Sequence, residues 1–325
     1  MRQLKQNDSF VTTNGVFRPK VVEGLAALGL VIVAAAFCVP AVAVARPSEL
    51  APRVVEGARP GAARQAQGTR TEPVARRRNV EHLPEPDVRD EPYGPHERNR
   101  FDLWMADGEG PRPLLVFIHG GGFRGGDKGN VDAALLKGCL EAGISYAALN
   151  YRLSHQAIYP APMHDCARAI QHIRQNAGKW SIDPARIAAT GGSAGAGISL
   201  WLAFHDDMAN PDAEGPVARQ STRLSCVIAR NAQSTYDPRV IEKIIPGNAY
   251  QESALIQLFG LPADWDWDRD EVDAQTDALI RDASPINHLT KGDAPVFVFH
   301  LEHQNTRGNI HHSNFGRYLE KAMDA

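Results

Sequence analysis

The chain is poor in cysteine, with four in 325 residues. Cys38 lies inside an apolar N-terminal run, and removal of that run would leave Cys139, Cys166 and Cys226, an odd count that argues against a disulfide framework. All three sit in apolar patterns that read as core. Charge of one sign is not in excess either. A formal net charge of -3 gives no reason to expect a nucleic-acid partner or a strongly anionic substrate. There is no internal repeat. No Gly-Lys-Ser/Thr follows the glycine run at 120–122, which argues against a phosphate-cradling loop. His300, His303, His311 and His312 lack a carboxylate-histidine helix motif, so no metal site is read from them. What remains is ordinary globular composition, 43% hydrophobic and 22% charged.

The N-terminus departs from that average. Arg2, Lys5, Arg18 and Lys20 precede an uncharged apolar run from Gly24 to Ala45, which ends Ala41-Val42-Ala43-Val44-Ala45 before Arg46-Pro47. Small residues therefore stand where a signal peptidase cuts. Residues 1–45 are expected to direct export, periplasmic or extracellular, with cleavage near Ala45. The alternative is an uncleaved membrane anchor over residues 24–45, since about 20 apolar residues span a bilayer. Phe37 is too bulky for Cys38 to be a lipoprotein site. Residues 46–87, rich in Pro, Arg and Ala, read as a solvated linker, and 88–325 as the folded domain.

Within that domain short apolar runs alternate with helical patterns. Asn99–Met105 alternates Phe101, Leu103 and Met105, as an early antiparallel strand would. Leu114–Ile118, Ser145–Leu149, Ile187–Thr190, Leu224–Ala229 and Val296–Phe299 read as buried strands. Val131–Ala142, a stripe of Met163, Cys166, Ala167, Ile170, Ile173 and Ala177, and Asn314–Met323 read as helices. In the striped helix Asp165, Arg168, Gln171, His172 and Gln175 are expected on the outer faces, and His164 and His172 need no catalytic role. The order predicts an α/β fold of three layers with a mostly parallel central sheet. An insert at about 240–290, carrying Trp265 and Trp267, is too long for a plain connection. Part of it is expected to cover the site, with its aromatics packing on one another.

The chemistry is concentrated in two motifs. Ile187–Thr190 leads into Gly191-Gly192-Ser193-Ala194-Gly195 and then an apolar helix, the strand–turn–helix order of a G-x-S-x-G nucleophile elbow. Upstream, the strand ending at Ile118 runs into His119-Gly120-Gly121-Gly122. With IHGGGFRGG, NYRL, DPARIAATGGSAGA and SPINHLTKGDAPVFVFH, the chain from about Arg100 onward resembles the α/β-hydrolase superfamily. Within it the likeness is to the HGGG-bearing carboxylesterase and lipase branch (hormone-sensitive-lipase-like and feruloyl-esterase-like). The resemblance implies a serine esterase without metal or cofactor, acting on a small-molecule or polymer-linked ester. Ser193 would be the nucleophile, and the N–H groups of Gly121, Gly122 and Ala194 the oxyanion hole. His119 would shape the loop.

The pattern then breaks. The acid is expected soon after Val296–Phe299, where there is no Asp, and Glu302 is the nearest carboxylate. Asp237 is the alternative, although its place before Pro238 equally suits a turn cap. The helix Asn314–Met323 is followed by neither the strand nor the histidine loop that the resemblance requires, so the fold is expected to be incomplete at its C-terminus. His311 and His312 are the late histidines nearest the expected edge, and His311 is taken as the candidate base. Without a base the chain would be an inactive hydrolase fold that binds a ligand or partner. A peptidase of the same fold is a further alternative.

Overall fold

Elements of the computed structural model follow the apolar runs closely. It describes residues 10–12, by backbone only, and 83–325. The apolar run 24–45, and the linker as far as residue 82, lie outside the described residues. Strands are β1 (Phe10–Thr12), β2 (Val88–Pro92), β3 (Arg100–Trp104), β4 (Arg112–Ile118), β5 (Ser145–Leu149), β6 (Ile182–Gly192), β7 (Val227–Arg230) and β8 (Val296–Phe299). Helices are α1 (Ala133–Glu141), α2 (Ala161–Gln175), α3 (Ala194–Phe204), α4 (Pro238–Ile244), α5 (Ser253–Leu258), α6 (Ala274–Ala283) and α7 (Asn314–Met323).

The eight strands form one sheet in the order β1-β8-β7-β6-β4-β5-β3-β2. β5, β4, β6, β7 and β8 are mutually parallel, while β3 runs antiparallel to β5, β2 to β3 and β1 to β8. Side chains alternate across a strand, so β4 feeds both faces. Leu114, Val116 and Ile118 join one cluster with α2 and α3, while Leu115 and Phe117 join another with α1. Helices thus cover both sides of the sheet, the three-layer α/β architecture that the strand–helix alternation predicts. Trp104 Nε1 donates to Pro84 O at 2.8 Å, so packing begins a few residues before Val88.

Two sequence expectations are corrected. In β3 the residues Phe101 through Trp104 are all buried, so the strand is not half-exposed. Asp102 is tolerated there because Lys128 Nζ pairs with it at 2.5 Å. In α2, Asp165 and Gln171 are buried instead of facing water. Asp165 takes both arms of Arg152, at 2.8 and 2.7 Å. Gln171 Nε2 donates to the Gln220 carbonyl at 2.8 Å. Periodicity marks these positions as polar, and the partners that let them go inside come from distant segments.

α3 is buried along its whole length, which its uninterrupted apolar sequence requires. The chain between β7 and β8 folds as α4, α5 and α6. Leu258 and Phe259 enter the main core, and Trp265 and Trp267 pack edge to face, with ring centroids 5.7 Å apart.

Candidate active site

Ser193 sits between the end of β6 and the first turn of α3 with φ 54° and ψ -124°. For a residue with a Cβ this backbone costs on the order of 1–3 kcal/mol and persists only where its surroundings fix it. Ser193 N–H donates to Arg230 O at 3.0 Å, and its carbonyl accepts from Gly197 N at 2.9 Å. The turn is therefore pinned to β7 on one side and to α3 on the other. Two of its glycines, Gly191 and Gly195, are sterically required. A Cβ on Gly195 would stand 2.0 Å from Ile118 O, and one on Gly191 2.5 Å from the Gly195 carbonyl carbon. A Cβ at Gly192 would meet the exposed Arg230 guanidinium at 3.3 Å.

The glycine loop lies directly beside this turn. A Cβ on Gly120 would fall 2.5 Å from Gly192 O and 3.5 Å from Ser193 Cβ. Gly121 (φ 110°) and Gly122 (φ 60°) adopt left-handed backbone that glycine enters at little cost. Gly121 O accepts from Arg124 N and Gly125 N at 3.0 and 3.2 Å, closing a tight turn. Among the described residues the N–H groups of Gly121, Gly122 and Ala194 bond to no backbone or side-chain acceptor. Unspent donors on the glycine loop and on the turn it abuts are the kind of group that receives a negatively charged oxygen.

His119 braces the loop from behind. It is buried, stacked on Tyr151 with centroids 4.3 Å apart, and its Nδ1 lies 2.8 Å from Gly120 O. Arg98 Nη2 approaches Nε2 at 3.2 Å and also donates to Gly126 O at 3.0 Å. Burial drives the His119 pKa down to about 4, so the ring stays neutral, with Nδ1–H toward Gly120 O. The NYRL motif completes the brace. Tyr151 hydroxyl donates to His119 O at 3.0 Å, Asn150 bonds Asp127 and Lys128 N, and Arg152 anchors to Asp165.

His311 lies in the loop between β8 and α7, and its Nε2 is 2.8 Å from Ser193 Oγ. Its own backbone is fixed from both directions. His311 N–H donates to Asn309 Oδ1 at 2.8 Å, and His311 O lies 3.0 Å from the ring Nδ1 of buried His300. Burial holds the imidazole pKa below its ordinary value, and the negative charge of Glu252 opposes that shift. At neutral pH His311 is therefore an uncharged base within hydrogen-bond reach of the serine. His312 faces elsewhere, its Nδ1 accepting from Asn314 N at 3.1 Å at the start of α7.

Neither sequence candidate for the acid reaches His311. Glu302 is exposed at the start of a short 3-10 turn, and among the described residues no hydrogen bond or ion pair joins it to a histidine. The loop turns Glu302 outward while carrying His311 back to Ser193 at the end of β6. Asp237 caps α4, with Oδ1 accepting from Arg239 N at 3.0 Å, and its carboxylate is gripped by the Arg239 guanidinium. Sequence reasoning missed Glu252, the N-cap of α5, whose charge reaches His311 and whose Oε1 lies 3.6 Å from Arg124 Nη2. Arg124 also donates to Ser253 Oγ at 2.8 Å. The start of α5 is thereby fastened across the glycine loop, and no motif in the insert signals it.

Known proteins resemble this chain in sequence and in fold. Esterase LipQ of Mycobacterium tuberculosis (strain ATCC 25618 / H37Rv) is 26% identical over 241 residues, which is 69% of this chain and 52% of that protein. A probable carboxylic ester hydrolase, LipM, of the same organism is 26% identical over 64% of this chain and 46% of its own length. The chain thus spans about half the length of these curated relatives. Among solved structures, a truncated carbohydrate esterase from gut microbiota superposes with a TM-score of 0.58 at 19% identity, covering 73% of this chain and 84% of that one. Esterase 2 of Thermogutta terrifontis with propionate bound gives 0.54 at 21% identity, covering 72% and 78%. The BD-FAE family model matches residues 101–313, from the first buried strand of the domain to two residues past His311. By its motifs, its sheet and that match, the chain belongs to the BD-FAE family of α/β-hydrolase esterases.

Proposed function

We propose that the protein is a serine hydrolase of carboxylic esters that works through an acyl-enzyme on Ser193. In this reading His311 Nε2 accepts the Ser193 proton as Oγ attacks the ester carbonyl. The carbonyl oxygen becomes an oxyanion held by the N–H groups of Gly121, Gly122 and Ala194. Collapse of the tetrahedral adduct breaks the ester C–O bond, and the proton on His311 passes to the departing alkoxide. Water, deprotonated by the same imidazole, then releases the acid and restores Ser193. Glu252 acts from a distance, its charge favouring the imidazolium that forms in each transition state.

The observation that carries this reading is the 2.8 Å contact between His311 Nε2 and Ser193 Oγ, at a turn that abuts the glycine loop. Ester-cleaving relatives support the substrate class. Export, periplasmic or extracellular, is the localisation that the basic and apolar sequence of residues 1–45 supports, with residues 24–45 a membrane anchor if the segment is uncleaved.

One observation favours a second reading. Among the described residues no carboxylate bonds to His311, as would suit a hydrolase fold that binds a ligand without turning it over. A fluorophosphonate probe and a panel of p-nitrophenyl esters decide between them. Stoichiometric labelling at Ser193 with ester turnover supports the hydrolase, and slow, partial labelling without turnover supports the binding protein. Faster cleavage of aminoacyl anilides than of esters would instead identify a peptidase.

A further inference from the structure

The far end of the nucleophile helix carries a second group of side chains. His205 is the C-cap of α3, the helix that Ser193 begins. Asp282 lies in the last turn of α6, and His288 ends the 3-10 turn Pro285–His288 that follows. One ligand atom from each lies within 4.8 Å of those of the other two. The two imidazole centroids are 4.6 Å apart; both histidines are half-buried, and the Asp282 side chain stands at the solvent edge, 48% exposed. An open cleft whose lining includes Asp237, Arg239, Arg281, Asp282 and His288 gives access from solvent.

Each side chain is oriented by a hydrogen bond of its own. His205 Nδ1 lies 2.8 Å from Asp206 O, and His288 Nε2 lies 2.6 Å from Asp282 O. A ring nitrogen that close to a carbonyl carries the proton, which leaves lone pairs on His205 Nε2 and His288 Nδ1. Asp282 Oδ2 accepts from the Tyr159 hydroxyl at 2.5 Å. Metal-binding imidazoles commonly donate their second nitrogen to a carbonyl, and ligating carboxylates are commonly hydrogen-bonded in turn. A plain His–Asp ion pair accounts for the group less well. Asp282 Oδ1 is 3.6 Å from His288 Nε2, too far for a hydrogen bond, and that nitrogen is already spent on a carbonyl. The arginines of the cleft do not oppose a cation, because Arg239 pairs with Asp237 and Arg281 with Asp277.

We propose that His205, Asp282 and His288 bind one divalent ion of the zinc class, joining the nucleophile helix to the insert between β7 and β8. Two imidazoles and one carboxylate suit zinc better than magnesium or calcium, which prefer oxygen ligands throughout. Water fills the fourth position. α3 separates this site from Ser193 by its full length, about 16 Å at the helical rise, so the ion's effect falls on stability and on how firmly the insert is held. This assignment does not rest on the ester-hydrolase reading.

The test uses the full chain without a histidine tag, stripped with EDTA and titrated with Zn²⁺. One equivalent is expected to bind by calorimetry and to raise Tm by several degrees, as any ligand of the folded state alone must. Co²⁺ in place of Zn²⁺ is expected to give the strong visible absorption of a tetrahedral site. His205→Gln and His288→Gln should each weaken Zn²⁺ binding at least tenfold and abolish the Tm rise, while Tm without metal stays near that of the parent. Either variant that folds decides the matter. Failure of the parent to bind, or an undiminished Tm rise in a folded variant, overturns the proposal.

Discussion

Replacing Gly195 by Ala isolates the close approach that aims Ser193. The added Cβ would lie 2.0 Å from Ile118 O and 2.7 Å from His119 O, where Cβ atoms do not come within 3.0 Å of such neighbours. The N-terminus of α3 must therefore move at least about 1 Å away from β4. Both partners are backbone carbonyls, at the end of β4 and in the residue after it, so no side chain can swing aside. Overpacking of this kind costs about 1–3 kcal/mol in stability. Loss of catalysis should be larger, because a displacement of 1 Å can cost about 10²-fold in rate. The assay is kcat/KM on p-nitrophenyl acetate together with the urea midpoint. Gly178→Ala serves as the control, since nothing lies within 4 Å of its Cβ position. It should keep full activity. Gly195→Ala with parental activity and stability would refute the account of the elbow.

Three other perturbations have defined outcomes. His311 must be neutral to accept a proton and its pKa is lowered, so the acid limb of kcat/KM should lie below pH 6.5. Glu252→Gln removes the influence that raises this pKa and should move the limb lower still; an unmoved limb would show that Glu252 exerts none. His119 and His300 are both lowered to about 4 by burial. Between pH 6.5 and 4 the unfolded chain takes up protons at these rings that the folded chain refuses, so the urea midpoint should fall across that window. His300→Asn should flatten the fall, and an unchanged slope would count against the burial of that ring. Arg152→Ala strips the partner from buried Asp165 and should cost about 3–5 kcal/mol by urea unfolding, whereas a loss below about 1 kcal/mol would contradict the buried pair.

Local rules made most of this legible in the sequence. Gly191, Ser193 and Gly195 are readable because a strand–turn–helix elbow needs glycine where backbones touch, and those contacts are found at Ile118 and His119. The continuous apolar runs at Leu114 and Ser145 predict buried parallel strands for the same local reason. What long-range packing decides was less visible. His311 stands out only as a late histidine, and its approach to Ser193 depends on a loop held by His300 and Asn309. Glu302 is near in sequence yet turned to solvent, while Glu252 acts from an insert with no motif to mark it. Asp165 and Gln171 look like surface residues because periodicity records polarity and cannot record the arginine or the carbonyls that receive them.

Replacement of His311 by Ala tests the central claim most directly, with Ser193 labelling by a fluorophosphonate and p-nitrophenyl ester turnover as readouts. His311→Ala should lose at least about 10³-fold in both rates while keeping its Tm, leaving only what the oxyanion donors and binding supply, whereas His312→Ala should stay within a few fold of the parent. Undiminished labelling and turnover in a folded His311→Ala protein would contradict the pairing of that imidazole with Ser193 as the catalytic centre.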